Sequence, residues 1–256
     1  MNPDFTATLF NRLSALNLEP RVIMTVRNQP QLFNSAFGQL IKAFRLLGTL
    51  HEFIASHETN APSFNMRIAD AVSAHGAPLT VLRHDSEIIL SFLAAIGAPS
   101  PAQTPATSER INQSAGPFTI EVARTVHRTL PQLTRPESNE CSLILKRVLQ
   151  DTGLADTGYC GLTTQAAREI EKTFADYNNA FATRVWGCQW AEVFGPDIGQ
   201  DFQPNDYQMT GVPPGKETAL DQLTIEVKRQ CEHMLERRPE VQQRRAYRTR
   251  RAAMNP

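Results

Sequence analysis

The chain lacks an excess of charge of either sign, and it lacks any long run of apolar residues. Its 256 residues include 26 lysines and arginines and 26 aspartates and glutamates, so the formal net charge is zero. The overall charge therefore provides no reason to expect binding to nucleic acid or to an anionic membrane. No stretch of about 18 apolar residues occurs, which argues against a membrane span.

Cysteine is also scarce, and its four occurrences are irregularly spaced: Cys141, Cys160, Cys188 and Cys231. None of these spacings fits a zinc site or a redox motif, so we interpret them as reduced structural thiols and expect no bound metal. The first 20 residues have no basic segment followed by an apolar core, and therefore do not indicate a signal peptide. These features together predict a cytoplasmic protein.

The most informative stretch that is present runs over residues 21–48, RVIMTVRNQPQLFNSAFGQLIKAFRLLG. Val22–Val26 is a short apolar run rich in β-branched residues, which predicts a buried parallel strand. Apolar residues then recur at helical spacing and predict a helix over Gln31–Gly48. Arg27 follows the strand at its carboxyl end, where open α/β sheets bind their ligands, and Ser35 lies on the first turns of the helix. These two side chains are chemically suited to bind one anion.

This pattern resembles the sulfotransferase family that uses 3′-phosphoadenosine 5′-phosphosulfate (PAPS) as its sulfuryl donor. In that family a strand ending in arginine leads into a helix carrying serine, and both side chains bind the 3′-phosphate of the cofactor. The resemblance implies this cofactor-binding role for Arg27 and Ser35, within VRNQPQLFNSAF. The alternative is an ordinary strand–helix unit with a surface arginine and a helix-capping serine.

The segments that follow extend the resemblance. The sequence predicts a helix over Phe64–Gly76, a strand over Pro78–Leu82 and an apolar helix over Ile88–Gly97. Similar bacterial sulfotransferases have a helix, a strand, an acidic residue and a helix in this order, although they often carry Tyr-Glu where this chain has His84-Asp85. Alternating helices and strands predict an α/β domain of three layers with a parallel sheet. The resemblance implies that this is the P-loop-type sulfotransferase fold.

A further arginine follows a loop rich in proline, serine and threonine at Pro99–Ser108. Residues 110–114, RINQS, resemble an R-x-N-x-S segment of the family that lies near the cofactor. The resemblance therefore implies Arg110 as another phosphate contact. The alternative is that these residues only cap the next helix, which is predicted over Phe118–Leu130.

Beyond this point the chain is predicted to be mainly helical. The sequence predicts helices over Phe118–Leu130, Cys141–Leu149, Thr164–Phe181 and Lys216–Glu236. We interpret Trp186 and Trp190 as packing residues. The chain thus divides into a sulfotransferase-like domain (1–194), a linker rich in proline (195–215) and a final segment (216–256) whose arginine-rich tail is predicted to be disordered.

Two parts of the family's site have no counterpart here. Family members carry a glycine-rich loop with a lysine after their first strand, and a histidine or glutamate upstream of the Arg–Ser unit as general base. The 20 residues that precede Arg21 contain no glycine and no lysine. We therefore expect an N-terminally incomplete version of the fold and assign no catalytic residue.

Three hypotheses follow from the sequence. The first is a sulfotransferase-family protein whose N-terminal part is missing, so that it keeps the 3′-phosphate half-site and lacks the sulfate half-site. For this family the nucleotide donor is PAPS, and the sulfuryl group passes to a hydroxyl or amine of a carbohydrate, lipid or small molecule. The second is a working sulfotransferase with a substituted loop. The third is a non-catalytic α/β protein that binds a partner through the arginine-rich tail.

Overall fold

A computed structural model describes seven parts of the chain, and they form a mixed α/β structure that is mostly helical. The described residues are 3–57, 61–85, 87–99, 115–153, 156, 158–195 and 202–237. In chain order the elements are α1 (Pro3–Ala15), β1 (Val22–Val26), α2 (Gln29–Lys42), α3 (Leu50–His57), α4 (Ala61–Ala74), β2 (Leu79–Arg83), α5 (Ile88–Ala95), α6 (Pro117–Thr129), α7 (Arg135–Thr152), α8 (Thr164–Trp186), α9 (Trp190–Phe194), α10 (Tyr207–Thr210) and α11 (Glu217–Glu236). Within these ranges, none of the helices combines the length and the apolar character needed to cross a membrane.

The chain divides into two compact units. Unit 1 comprises Met1–Phe33, His51–Ile111 and Leu162–Phe202, and unit 2 comprises Asn34–Leu50, Asn112–Gly161 and Gln203–Pro256. The predicted linker, residues 195–215, carries the short helix α10 and the buried side chain of Asp206. The arginine-rich tail after Arg237 lies outside the described residues.

Unit 1 contains the sheet, in which β1 and β2 are parallel neighbours. Val22 lies opposite Leu79 and Val26 lies opposite Arg83. Both strands and their parallel pairing were predicted from the sequence, and the structure confirms them. A parallel pair requires a crossover between its strands, and here helices supply it.

One face of β1 contributes to the core of unit 1. Met24 and Val26 are buried, whereas Thr25 between them is exposed, as expected of a strand that is covered on one face. The two buried residues belong to a cluster that includes Phe181 and Trp190. Trp186 packs against the same cluster, and its indole N–H donates to the backbone oxygen of Val81 at 3.1 Å. The predicted packing role of both tryptophans is confirmed.

Helix α2 ends at Lys42, before the predicted end at Gly48. The reason is a left-handed residue, Phe44, whose φ is 53° although its side chain is large and almost fully buried. The backbone N–H of Arg45 donates to the oxygen of Leu40 at 3.0 Å, which is the hydrogen bond of a Schellman helix cap. Glycine usually occupies the left-handed position of this cap, so the sequence carried no signal for it.

Unit 2 is built on helix packing. Helix α11 packs against α6 and α7, and five of its apolar residues recur at helical spacing and are buried. They are Leu220, Leu223, Val227, Cys231 and Leu235. Helix α7 begins at Arg135, earlier than predicted, because Thr134 and Glu137 form a capping box there.

Candidate functional site

Arg27 lies directly after β1, at the carboxyl end of the strand, as the sequence predicts. The side chain is half-buried, and its Nε atom is buried without a hydrogen-bond partner. Burial lowers the pKa of Arg27, but arginine still carries its charge at neutral pH. Among the residues that the structure describes, none forms an ion pair or hydrogen bond with this guanidinium. The guanidinium is therefore partly desolvated, and no described residue compensates its charge.

The two residues after Arg27 anchor the turn between β1 and α2. Asn28 and Gln29 are 1% and 4% exposed. The side-chain amide of Asn28 donates to Glu171 at 3.3 Å, and the amides of Gln29 and Asn178 donate to each other at 2.5 and 2.8 Å. Both partners lie on α8, so the turn is attached to that helix through buried polar contacts. No local sequence pattern indicates these pairs, because more than a hundred residues separate the partners along the chain.

The end of β2 carries another arginine, which differs from Arg27 in having partners. Arg83 donates through Nη1 to the backbone oxygen of Val193 at 2.7 Å, and its Nε lies 3.4 Å from Asp85. Asp85 also accepts a hydrogen bond from the backbone N–H of Glu87 at 2.9 Å, just before α5 begins. These contacts indicate a structural role for Asp85, and of the two arginines that end or follow a strand only Arg27 lacks a described partner.

Of the other two predicted site residues, only Ser35 lies within the described residues. Ser35 is half-buried and lies in the second turn of α2, because the helix already begins at Gln29. It belongs to unit 2, whereas Arg27 belongs to unit 1. Arg110 lies outside the described residues. The phosphate site predicted from these three residues stays a prediction.

Unit 2 contains a fully buried arginine, Arg124, whose terminal nitrogens pair with a carboxylate. Arg124 is 1% exposed and donates through both terminal nitrogens to Asp206, at 2.9 Å each. The hydroxyl of Tyr159 donates to the same carboxylate at 2.7 Å. Burial alone would raise the pKa of Asp206, but the hydrogen bonds from Arg124 and Tyr159 outweigh it and hold that pKa below its usual value. This network joins α6 to the segment before α10 and has a structural role.

The described residues contain no group of three or more histidine, cysteine, aspartate or glutamate side chains that is arranged to hold a metal ion. None of the four cysteines forms a disulfide bond, and Cys141 and Cys231 are buried, which agrees with their interpretation as reduced structural thiols.

No family model, no curated protein and no solved structure matches this chain. The sulfotransferase resemblance therefore depends on the sequence motifs alone, and membership of that family stays a prediction.

Proposed function

We propose that this chain binds a phosphorylated nucleotide at the carboxyl end of β1, and that it is a PAPS-dependent sulfotransferase that transfers a sulfuryl group to a hydroxyl or amine. The P-loop-type sulfotransferase fold is part of this proposal. The observation that carries it is Arg27, a half-buried cation that no described residue pairs with.

A phosphate supplies what Arg27 lacks. A desolvated cation is unfavourable unless an anion and hydrogen bonds compensate for its lost hydration. Phosphate oxygens accept two parallel hydrogen bonds from the guanidinium fork, which gives both charge compensation and a defined geometry. The carboxyl end of a parallel strand is also the usual place for a ligand in an α/β protein.

The turn after β1 supports this role because it is rigid. Asn28 and Gln29 are held by amide contacts to α8, so the backbone next to Arg27 is fixed before any ligand arrives. A fixed backbone reduces the conformational entropy that binding would otherwise cost. Arg27 is then a positioning group for the nucleotide, and it does not react itself.

The resemblance assigns a chemistry to this site. Sulfuryl transfer needs reacting groups held in line and positive charge near the leaving phosphate. In the family the arginine binds the 3′-phosphate of PAPS, which holds the nucleotide in register for transfer. Ser35 and Arg110 enter the proposal only through this resemblance.

Calorimetric titration with adenosine 3′,5′-bisphosphate tests the proposal. We expect saturable binding to the full chain and a loss of affinity of about tenfold or more, about 1.4 kcal/mol, in Arg27→Ala. The matched control is Arg21→Ala, because Arg21 is exposed and precedes the same strand at its opposite end. The control variant should bind within about twofold of wild type, about 0.4 kcal/mol.

Adenosine 5′-phosphate, which lacks the 3′-phosphate, provides the ligand control. Equal affinity for both nucleotides would contradict a 3′-phosphate site. Equal losses of affinity in Arg27→Ala and Arg21→Ala would show that Arg27 does not bind the 3′-phosphate. Absence of nucleotide binding by the folded protein would overturn the proposal as a whole. Titrations of Ser35→Ala and Arg110→Ala decide separately whether these residues contribute.

A further inference from the structure

Unit 2 has an open cavity of about 770 Å³ whose lining does not include Arg27. It is bordered by the segment after α2, the end of α6 and the start of α7. Its polar lining includes Arg45, His127, Arg135 and Ser138. The volume lies within the range of small-molecule sites, about 300–1,000 Å³.

The lining carries positive charge without a carboxylate. Arg45 and Arg135 both line the cavity, and no aspartate or glutamate does. Arg45 donates to the side-chain oxygen of Asn139 at 2.7 Å, a neutral partner that orients the guanidinium and leaves its charge in place. Neither arginine forms an ion pair with any residue in the described parts of the chain. The cavity is thus suited to an anion.

His127 also lines the cavity. Its Nδ1 atom is buried and has no hydrogen-bond partner among the described residues. Burial lowers the pKa of His127 despite an opposing hydrogen bond with the backbone of Leu46, so the imidazole is neutral at pH 7. His127 therefore contributes a neutral, partly buried side chain to the cavity lining.

The residue that precedes Arg45 is conformationally strained. Phe44 lines the cavity with a φ of 53°, and its ring packs against His127 with the ring centroids 5.7 Å apart. A left-handed conformation at a bulky residue costs about 1–3 kcal/mol, and such strain is concentrated at ligand sites and switch regions. Here the strained turn sets the direction in which the chain leaves α2 and thereby places Arg45 at the cavity.

We propose that this cavity binds an organic phosphate monoester with an apolar substituent. The two guanidinium groups together match the charge of the phosphate dianion, whose second pKa is about 6, and each can donate two parallel hydrogen bonds to phosphate oxygens. Leu47, Leu130 and Leu133 line the same cavity and provide a surface for the apolar substituent. Ligand pockets commonly combine an apolar lining with a few convergent polar groups in this way.

The test is a calorimetric titration of the full chain with phenyl phosphate, compared with inorganic phosphate and phenol. We expect phenyl phosphate to bind more tightly than either, because only phenyl phosphate has both the anion and the apolar group. Arg45→Gln and Arg135→Gln should each weaken its binding by about tenfold. Arg128→Gln is the control, because Arg128 is exposed on α6 and lies outside the cavity lining.

Several outcomes would overturn this proposal. The proposal is wrong if inorganic phosphate or phenol binds to the wild-type protein as tightly as phenyl phosphate does. It is also wrong if phenyl phosphate shows no saturable binding to the folded protein. If Arg128→Gln loses as much affinity for phenyl phosphate as Arg45→Gln and Arg135→Gln do, the binding is non-specific electrostatic attraction only. Arg27→Ala should leave phenyl phosphate binding unchanged, so this inference and the nucleotide proposal succeed or fail separately.

Discussion

Arg124 in unit 2 is fully buried and Arg27 in unit 1 is half-buried, and of the two only Arg124 has its charge compensated by a described residue. The Nε atoms of both side chains are buried without a hydrogen bond. The terminal nitrogens of Arg124 bind the carboxylate of Asp206, and no described residue offers Arg27 an equivalent. Burial would lower the pKa of Arg124, but Asp206 outweighs this effect and raises it, whereas burial alone lowers the pKa of Arg27.

The difference separates a structural cation from a candidate ligand-binding cation. A buried ion pair is strongly coupled to the folded state, because removal of one partner leaves an uncompensated charge. A partly buried cation without a protein partner contributes little to the free energy of unfolding. Its hydrogen-bond donors remain available to a ligand. Substitution of each arginine tests whether Arg124 supports the fold and whether Arg27 is available to a ligand.

The largest effect is expected for Arg124→Met, which leaves the carboxylate of Asp206 buried without its cation. We expect the free energy of unfolding to fall by about 3–5 kcal/mol, measured by urea denaturation. Arg128→Met is the control, because Arg128 is exposed on the same helix, and its change should stay within about 0.5 kcal/mol.

The double variant Arg124→Met/Asp206→Leu sharpens this test. It removes the unpaired carboxylate, so we expect it to be more stable than Arg124→Met alone. A loss below about 1 kcal/mol in Arg124→Met would mean that the buried pair is not a structural element of unit 2.

A smaller effect is expected for Asn178→Ala in unit 1. Gln29 is 4% exposed, and this substitution leaves its buried amide without the reciprocal partner. The unfolding free energy should fall by about 1–3 kcal/mol in urea denaturation. Gln165→Ala removes an exposed amide from the same helix and should change stability by no more than about 0.5 kcal/mol. Equal effects of the two substitutions would contradict an anchoring role for the Gln29–Asn178 pair.

The Arg124 network also predicts a pH dependence. Because the pKa of Asp206 is lower in the folded protein than its usual value of about 3.9, this carboxylate stabilises the fold above that pH. The contribution is lost as the pH falls below about 4 towards the pKa of the folded state. Urea denaturation between neutral pH and acid should show a shallower acid loss in Asp206→Asn than in wild type. Asp221→Asn removes an exposed carboxylate from α11 and should keep the wild-type profile.

The parts of the fold that depend on local periodicity could be predicted from the sequence. Helix α11 was predicted from five apolar residues, and all five are buried. Strands β1 and β2 were predicted from short apolar runs, and they pair in parallel as expected. In each case the signal lies within a single element, where side-chain spacing determines which face is buried.

The contacts that make up the candidate sites could not be predicted in this way. Asp206 lies in a segment whose prolines predict a linker, yet it pairs with Arg124, which is 82 positions away in the sequence. The cavity in unit 2 depends on the left-handed turn at Phe44, where propensity favours glycine. The position of Arg27 directly after β1 could be predicted, because that signal is local to the strand, whereas its role in binding stays a prediction.

The smallest effect on stability is expected for Arg27→Met, which keeps the apolar stem and removes the charge. Because no described residue pairs with this guanidinium, the unfolding free energy should change by less than about 0.5 kcal/mol or should rise. Adenosine 3′,5′-bisphosphate at about 100 times its dissociation constant should stabilise wild type by about 2.7 kcal/mol and should stabilise the variant less. A destabilisation of about 2 kcal/mol or more would instead show that Arg27 supports the fold as Arg124 does, and the distinction between a structural and a ligand-binding arginine would fail at this site.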